Sequence, residues 1–213
     1  MKRLFLVIPF LLGLTLHGLA QKVIQKNLEV TGKSVNMKFD FADTIEIVAW
    51  DKNTLALEVS ADIDNNRCND DYNLKVEEYG SSVKLEEFVD FKDVQKKRGN
   101  KCNIDKTIIY KLKVPQNLQF SLKTIAGQVV LKGTAGQMDV NSISGFIDYS
   151  VPATCKANIK LSTVTGNVYS NLKFDEKKEK EMSWVGTDRK LTLNGGGREI
   201  AMKTVSGDIY LRK

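Results

Sequence analysis

Asp139, Asp148 and Asp208 are the carboxylates best spaced for chemistry in this sequence. Asp148 and Asp208 fall at outward positions beside glycine turns, and Asp139 is close by. Carboxylates arranged in pairs can serve as general acid and base in glycoside hydrolysis. The plainer reading of the same residues is the solvated side of a strand. A second group, Asp62, Asp64, Asn65, Asn66, Asn69, Asp70 and Asp71, offers the hard oxygens that calcium takes. Its spacing is not that of an EF-hand loop and no Gly-Gly-x-Gly-x-Asp repeat occurs, so an ordinary polar turn explains it as well. Cys155 has no histidine to activate it. No Gly-x-Ser-x-Gly string and no phosphate-binding loop is present.

The histidine inventory narrows the chemistry further. The only histidine is His17. It lies in an N-terminal stretch with the form of a secretory signal: Lys2 and Arg3, an apolar run from Leu4 to Leu19, and small residues at Gly18 and Ala20. The run is short of the ~20 residues that span a bilayer. Cleavage after Ala20 is expected, leaving 21–213 as a single all-β domain with no histidine and no further spanning segment. That removes the commonest general base, zinc ligand and triad partner together. No catalytic residue, metal ligand or cofactor site is assigned. The formal charge of +6 falls to +4 once Lys2 and Arg3 are lost, too diffuse for a nucleic-acid partner.

Export implies an oxidising compartment. Cys68 and Cys102 sit in similar polar, turn-like settings and are expected to form a disulfide. Closing a loop of about 35 residues would contribute roughly 3–4 kcal/mol. Cys155 is then the odd cysteine, read as a small buried apolar residue at the start of a strand. Trp50 is expected to pack inward and Trp184 to be partly exposed.

The elements that must hold these residues are strands. Val35, Met37, Phe39 and Phe41 alternate with polar residues, as do Leu55, Leu57, Val59, Ala61 and Ile63, and the pattern continues to Ile209 and Leu211. No window of eleven residues carries a helical stripe. Residues 21–116 are the less regular part, and 117–213 carry four near-identical strings: Thr124-Ile-Ala-Gly127, Ser142-Ile-Ser-Gly145, Thr163-Val-Thr-Gly166 and Thr204-Val-Ser-Gly207. The glycines are 18, 21 and 41 apart, and Gly186 splits the last interval. With Gly136, midway between Gly127 and Gly145, they read as turn formers between short strands. A period near twenty residues predicts a β-solenoid with two-strand rungs, hydroxyls stacking at equivalent levels. The alternative is a β-sandwich built from meanders. The segments Asp62–Tyr72, Phe88–Asp105 and Phe174–Met182 read as exposed excursions. The final strand reads as an open sheet edge that Arg212 and Lys213 protect.

These strings, with Ile45-Glu-Ile47, Trp50-Asp-Lys-Asn53, Leu55-Ala-Leu57 and Tyr110-Lys-Leu-Lys-Val-Pro115, resemble the DUF4097 / head GIN domain family of exported bacterial adhesin-like proteins with β-strand repeats. The resemblance covers most of residues 23–213. It implies a β-helix-like fold and export, and it supplies no catalytic residues. Phe146, which fills a usually polar slot after Gly145, departs from it. The sequence therefore predicts an exported, non-catalytic envelope protein, periplasmic, surface-bound or secreted, that binds protein or glycan. A carbohydrate-active enzyme on the same scaffold and an envelope-stress component are the alternatives.

Overall fold

Alternating burial runs through nearly every element: in the strand Thr54–Ile63, each second residue from Leu55 to Ile63 is buried. The computed structural model describes residues 21–97, 105–175, 184–185 and 188–213. The signal stretch 1–20, Cys102, Gly186 and most of the excursion at 174–182 lie outside them, as does the side chain of Trp184. The strands are β1 (Lys22–Glu29), β2 (Ser34–Lys38), β3 (Thr44–Trp50), β4 (Thr54–Ile63), β5 (Tyr72–Tyr79), β6 (Ser82–Val89), β7 (Lys106–Pro115), β8 (Phe120–Thr124), β9 (Gln128–Lys132), β10 (Met138–Ser144), β11 (Ile147–Ser150), β12 (Ala157–Thr163), β13 (Asn167–Ser170), β14 (Trp184–Val185), β15 (Asp188–Leu193), β16 (Arg198–Ser206) and β17 (Ile209–Arg212).

They form two sheets. The order in one is β1-β4-β7-β3-β9-β11-β17-β13-β14 and in the other β15-β12-β16-β10-β8-β2-β6-β5. Consecutive strands pair across the sheets as layers: β2 with β3, β6 with β7, β8 with β9, β10 with β11, β12 with β13, β16 with β17. Neighbouring layers are hydrogen-bonded in parallel. Inward side chains from both sheets make one continuous core, including Met37, Ile45, Leu112, Leu122, Val140, Tyr149, Met202 and Leu211.

The layers do not stack in chain order. Along the stack they run β6/β7, β2/β3, β8/β9, β10/β11, β16/β17, β12/β13. At each end the chain passes over one slot, lays down antiparallel strands, then returns to fill the gap. At one end β4 and β5 are those outer strands, with β1 beyond β4. At the other they are β14 and β15. The expected open C-terminal edge is thus overturned, because β17 lies between β11 and β13 with partners on both sides. Antiparallel strands provide the outer layers instead.

Three further expectations are corrected. Asp62–Tyr72 is not an exposed excursion: Ile63, Asp64, Cys68, Asn69 and Tyr72 are buried. Asp64, Asn65 and Asn66 take left-handed φ of 54°, 52° and 65°, which Asx residues tolerate, and the turn folds back on the core. A short helix, α1 (Phe91–Lys97), anchored by buried Val94, occupies part of the second excursion. Its seven residues are too few to register in a helical window. Trp50 is half-buried and outward, with its Nε1 donating to Thr54 O at 2.8 Å and Lys52 and Lys113 over its ring at 5.0 and 6.0 Å. β1 has no strong alternation, its exposed residues outnumbering its half-buried ones, and the sequence reading passed over it.

Candidate binding surfaces

The repeated strings converge at one corner of the stack. Register puts Thr124 beside Ser142, Ser142 beside Thr204, and Thr204 beside Thr163. All four hydroxyl side chains are buried. Thr163 Oγ1 accepts from the Gly166 N–H at 2.9 Å, and Thr124 Oγ1 from the Gly127 N–H at 3.3 Å, so the hydroxyl ties off the turn three residues on. The glycines form a column in the same order. A Cβ on Gly145 would stand 2.7 Å from Gly127 O, on Gly207 2.0 Å from Gly145 O, and on Gly166 1.7 Å from Gly207 O. Gly136 is similarly closed, 1.9 Å from Leu118 O. Gly145 also needs its left-handed φ of 104°, whereas Gly127 and Gly166 do not have one. The common requirement is room between layers rather than a common dihedral.

What the strings leave to solvent is their second residue: Ile125, Ile143, Val205 and Val164 are exposed. Past the corner, on the outer face of the nine-stranded sheet, is an aromatic cluster. The Tyr169 and Tyr210 rings stack at 5.1 Å, because β13 and β17 place them in direct register. Phe146 meets Tyr210 edge-on at 6.2 Å. The Arg212 guanidinium lies 5.1 Å over Tyr210 and bonds the Asp148 carboxylate at 2.8 Å. Asp208 accepts the Asn167 N–H at 2.8 Å and the Tyr210 hydroxyl at 3.2 Å. Asp148 and Asp208 therefore do come together with aromatics, but each is engaged with neighbours. Asp139 is on the opposite sheet, accepting from Asn141 Nδ2 at 2.8 Å. Asp139 is therefore not brought to the other two.

Cys68 is buried, and its expected partner Cys102 is outside the described residues. Cys155 is buried just ahead of β12, and burial pushes its thiol up, opposite to an activated nucleophile. In the Asp/Asn turn, Asp62 accepts the Asn66 N–H at 2.7 Å, Asn69 accepts the Ile63 N–H at 2.8 Å, and Lys97 pairs with Asp71 at 2.7 Å. Among the described residues no group of three His, Cys, Asp or Glu is placed to hold a metal ion.

One site escaped sequence reasoning. Glu87 is buried beneath the first layers, where the Tyr110 hydroxyl donates to Oε2 at 2.7 Å and the Phe41 N–H donates to Oε1. Tyr72 joins Tyr110 hydroxyl to hydroxyl at 2.6 Å, and Tyr110 stacks on Phe39 at 3.9 Å. The one signal in the sequence is that Glu87 occupies an inward slot of the β6 alternation, after Val83 and Leu85. Burial raises the Glu87 pKa above its ordinary 4.5, against the opposing pull of the Phe41 N–H and the Tyr110 hydroxyl. Burial and then the Glu87 charge raise Tyr110. A carboxyl whose folded pKa is raised contributes stability that is complete below its unfolded pKa and lost as pH rises through the folded one. Relative to Glu87→Gln, the wild type therefore loses stability as pH rises above about 4.5. Urea melts of both proteins across pH 4 to 8 read this directly. A wild type that gained on the variant would mean the ionised carboxylate is the favoured form.

Comparison with known proteins bears on the fold. No family model matches the chain, and no curated protein sequence matches it. A crystal structure from Clostridium sporogenes, described as a "putative cell adhesion protein", superposes with a TM-score of 0.57 at 14% identity, over 91% of this chain and 99% of that one. A Bacteroides fragilis structure described as a "putative adhesin" covers 91% and 97% at 11% identity, but its TM-score of 0.22 carries no argument. The first likeness supports a shared all-β architecture. Among the described residues no helix is long and apolar enough to cross a membrane.

Proposed function

We propose that the chain is an exported, non-catalytic envelope protein that makes adhesin-like contacts through the outer face of its nine-stranded sheet. The observation that carries this is the Phe146–Tyr169–Tyr210 cluster with Arg212, standing outward on a wide sheet. Tyr and Arg are the residue types that dominate binding energy at macromolecular contacts. The adhesion wording attached to the Clostridium sporogenes structure agrees with this reading. So does the resemblance to the DUF4097 / head GIN group, which implies a β-helix-like repeat fold, and the same reading takes the stack as a β-solenoid of two-strand rungs. Against the enzyme alternative, Asp148 Oδ2 is held by Arg212 and Asp208 is held by Asn167 and Tyr210, while Asp148 Oδ1 is buried without a hydrogen bond among the described residues.

Removal of residues 1–20, a single domain over 21–213, and a Cys68–Cys102 bridge belong to the same reading. Unreduced peptide mapping of the exported protein reads the new N-terminus and the bridge together. The binding claim is tested by affinity capture from envelope extracts with the wild type and with a Tyr169→Ala/Tyr210→Ala double variant. The wild type recovers a defined partner, and the variant loses it while melting at nearly the same temperature. Equal recovery by both proteins would remove this face from the function.

A further inference from the structure

Four of the eight large apolar side chains that stand exposed among the described residues form one row, so they are gathered rather than scattered. They are Ile125, Ile143, Val205 and Val164, exposed by 42, 53, 48 and 62%. Parallel register sets Ser142 beside Thr204 and Ser144 beside Ser206, so Ile143 and Val205 are neighbours between them. The Ser144 N–H donates to Ile125 O and the Thr165 N–H to Val205 O, which carries the row outward on both sides. Each member stands where the chain leaves the eight-stranded sheet for the nine-stranded one, so the row is a convex edge of the molecule. Neither the turns nor the core use these side chains, and threonine would suit the strands as well.

The next outward row runs Lys38, Lys123, Asn141, Lys203, Ser162, with Glu86 and Asp188 at its two ends. Lys38 is neutralised by Asp40 and Glu86 at 3.2 and 3.3 Å, and Asp188 lies 3.8 Å from Lys160. Lys123 and Lys203, exposed in the middle, make no ion pair or hydrogen bond among the described residues. The row beyond contributes Lys160 and Asp139, the latter bonded by Asn141 at 2.8 Å. On the other flank come the small residues Ala126, Ser144, Ser206 and Thr165, and then Asp208, held by Asn167 and Tyr210.

Shape, area and charge select the occupant. β8, β10, β12 and β16 each have neighbours on both sides, so no further strand can pair here. The exposed parts of the four side chains sum to roughly 300 Å², well short of the ~800 Å² per partner of a stable protein interface. A convex aliphatic edge offers a sugar neither a ring to stack on nor a hydrogen bond. A lipid surface makes no such demands. Aliphatic side chains enter the acyl boundary, and each lysine near an anionic leaflet adds its own attraction. We propose that this edge docks the protein on an anionic lipid surface, with Ile125, Ile143, Val205 and Val164 in the acyl boundary and Lys123 and Lys203 at the headgroups. The docking edge adds to the proposed envelope role and is independent of the aromatic face.

Vesicle co-sedimentation of the exported protein tests this, with equal parts phosphatidylglycerol and phosphatidylcholine against phosphatidylcholine alone. The anionic vesicles bind about tenfold or more tighter. Ile143→Thr/Val205→Thr keeps the branched shape and weakens binding to the anionic vesicles about tenfold, and Lys123→Gln/Lys203→Gln removes most of the preference for phosphatidylglycerol. Both double variants melt with the wild type, since all four positions are exposed. Tyr169→Ala binds as the wild type does. Absence of binding to the anionic vesicles overturns the proposal. So does binding that survives Ile143→Thr/Val205→Thr, or a phosphatidylglycerol preference undiminished by the lysine replacements. A dimer in sedimentation velocity, found in place of vesicle binding and abolished by Ile143→Thr/Val205→Thr, makes the row a self-interface and overturns it too. Vesicle binding lost in Tyr169→Ala alone moves the lipid contact to the aromatic face: this edge falls and the envelope function stands.

Discussion

A chain ending at residue 197, lacking β16 and β17, fails to fold cooperatively. In a stack built in chain order, losing the last layer would shorten the molecule by one layer and spare the rest. Here the last layer fills the slot between β10/β11 and β12/β13. Its removal takes the fully packed side chains Ile200, Met202, Ile209 and Leu211 from the middle of the core. At ~1.5–3 kcal/mol each, they are worth on the order of 10 kcal/mol, comparable with the whole stability of a domain. The layers on either side also lose their hydrogen-bonding neighbour, leaving four strand edges, on β10, β11, β12 and β13, unpaired. Urea unfolding followed by near-ultraviolet circular dichroism checks this. Trimming β1, an edge strand held on one side only, provides the contrast and leaves a cooperative transition. A cooperative melt from the shortened chain would mean that the layers can close up without their last member, against the observed order.

Gly166→Val lowers stability by roughly 3 kcal/mol or more, because the added carbons have no room to enter. The Cβ alone would stand 1.7 Å from the carbonyl oxygen and 2.4 Å from the carbonyl carbon of Gly207. Those are backbone atoms of the neighbouring layer, so relief requires prising layers apart rather than rotating a side chain. Gly80 makes the control: its φ is +52° and nothing lies within 4 Å of its Cβ position. Gly80→Ala pays for the left-handed backbone only, about 1 kcal/mol. Thermal melts of the two variants separate shortage of room from backbone strain. A Gly166→Val protein melting like Gly80→Ala would remove the close-packed column as the reason for the repeat.

The physical origin of that column explains how much was legible beforehand. Thr163-Val-Thr-Gly166 and its three relatives announce a repeated local need, and the hydroxyl at the first position does satisfy a turn N–H three residues on. That interaction is local, so it is written in the string itself. Which string lies against which is not local. Gly207 sits between Gly145 and Gly166, although Gly166 precedes it in the chain by 41 residues. Near-identical strings are interchangeable as neighbours, so no pattern within them can rank the layers.

The candidate surfaces divide the same way. Tyr169 and Tyr210 are legible as outward residues of their strands, but their stacking depends on β13 lying beside β17. Ile143 and Val205 come from β10 and β16, and only the parallel register of those strands puts them in one row. Glu87 is marked in the sequence only by its inward slot in the β6 alternation, and only the fold brings that slot to Tyr110.

By itself the sequence determined that the described chain is β-structured, which faces of most strands turn inward, and where the tight corners fall. These follow from a two-residue side-chain period and from the sterics of glycine, both properties of neighbouring residues. Only the tertiary structure decided the interleaved order of the layers, the antiparallel outer strands and the composition of both outer faces. Those rest on hydrogen bonds between parallel strands tens of residues apart, where one register satisfies the backbone as well as another and global packing makes the choice.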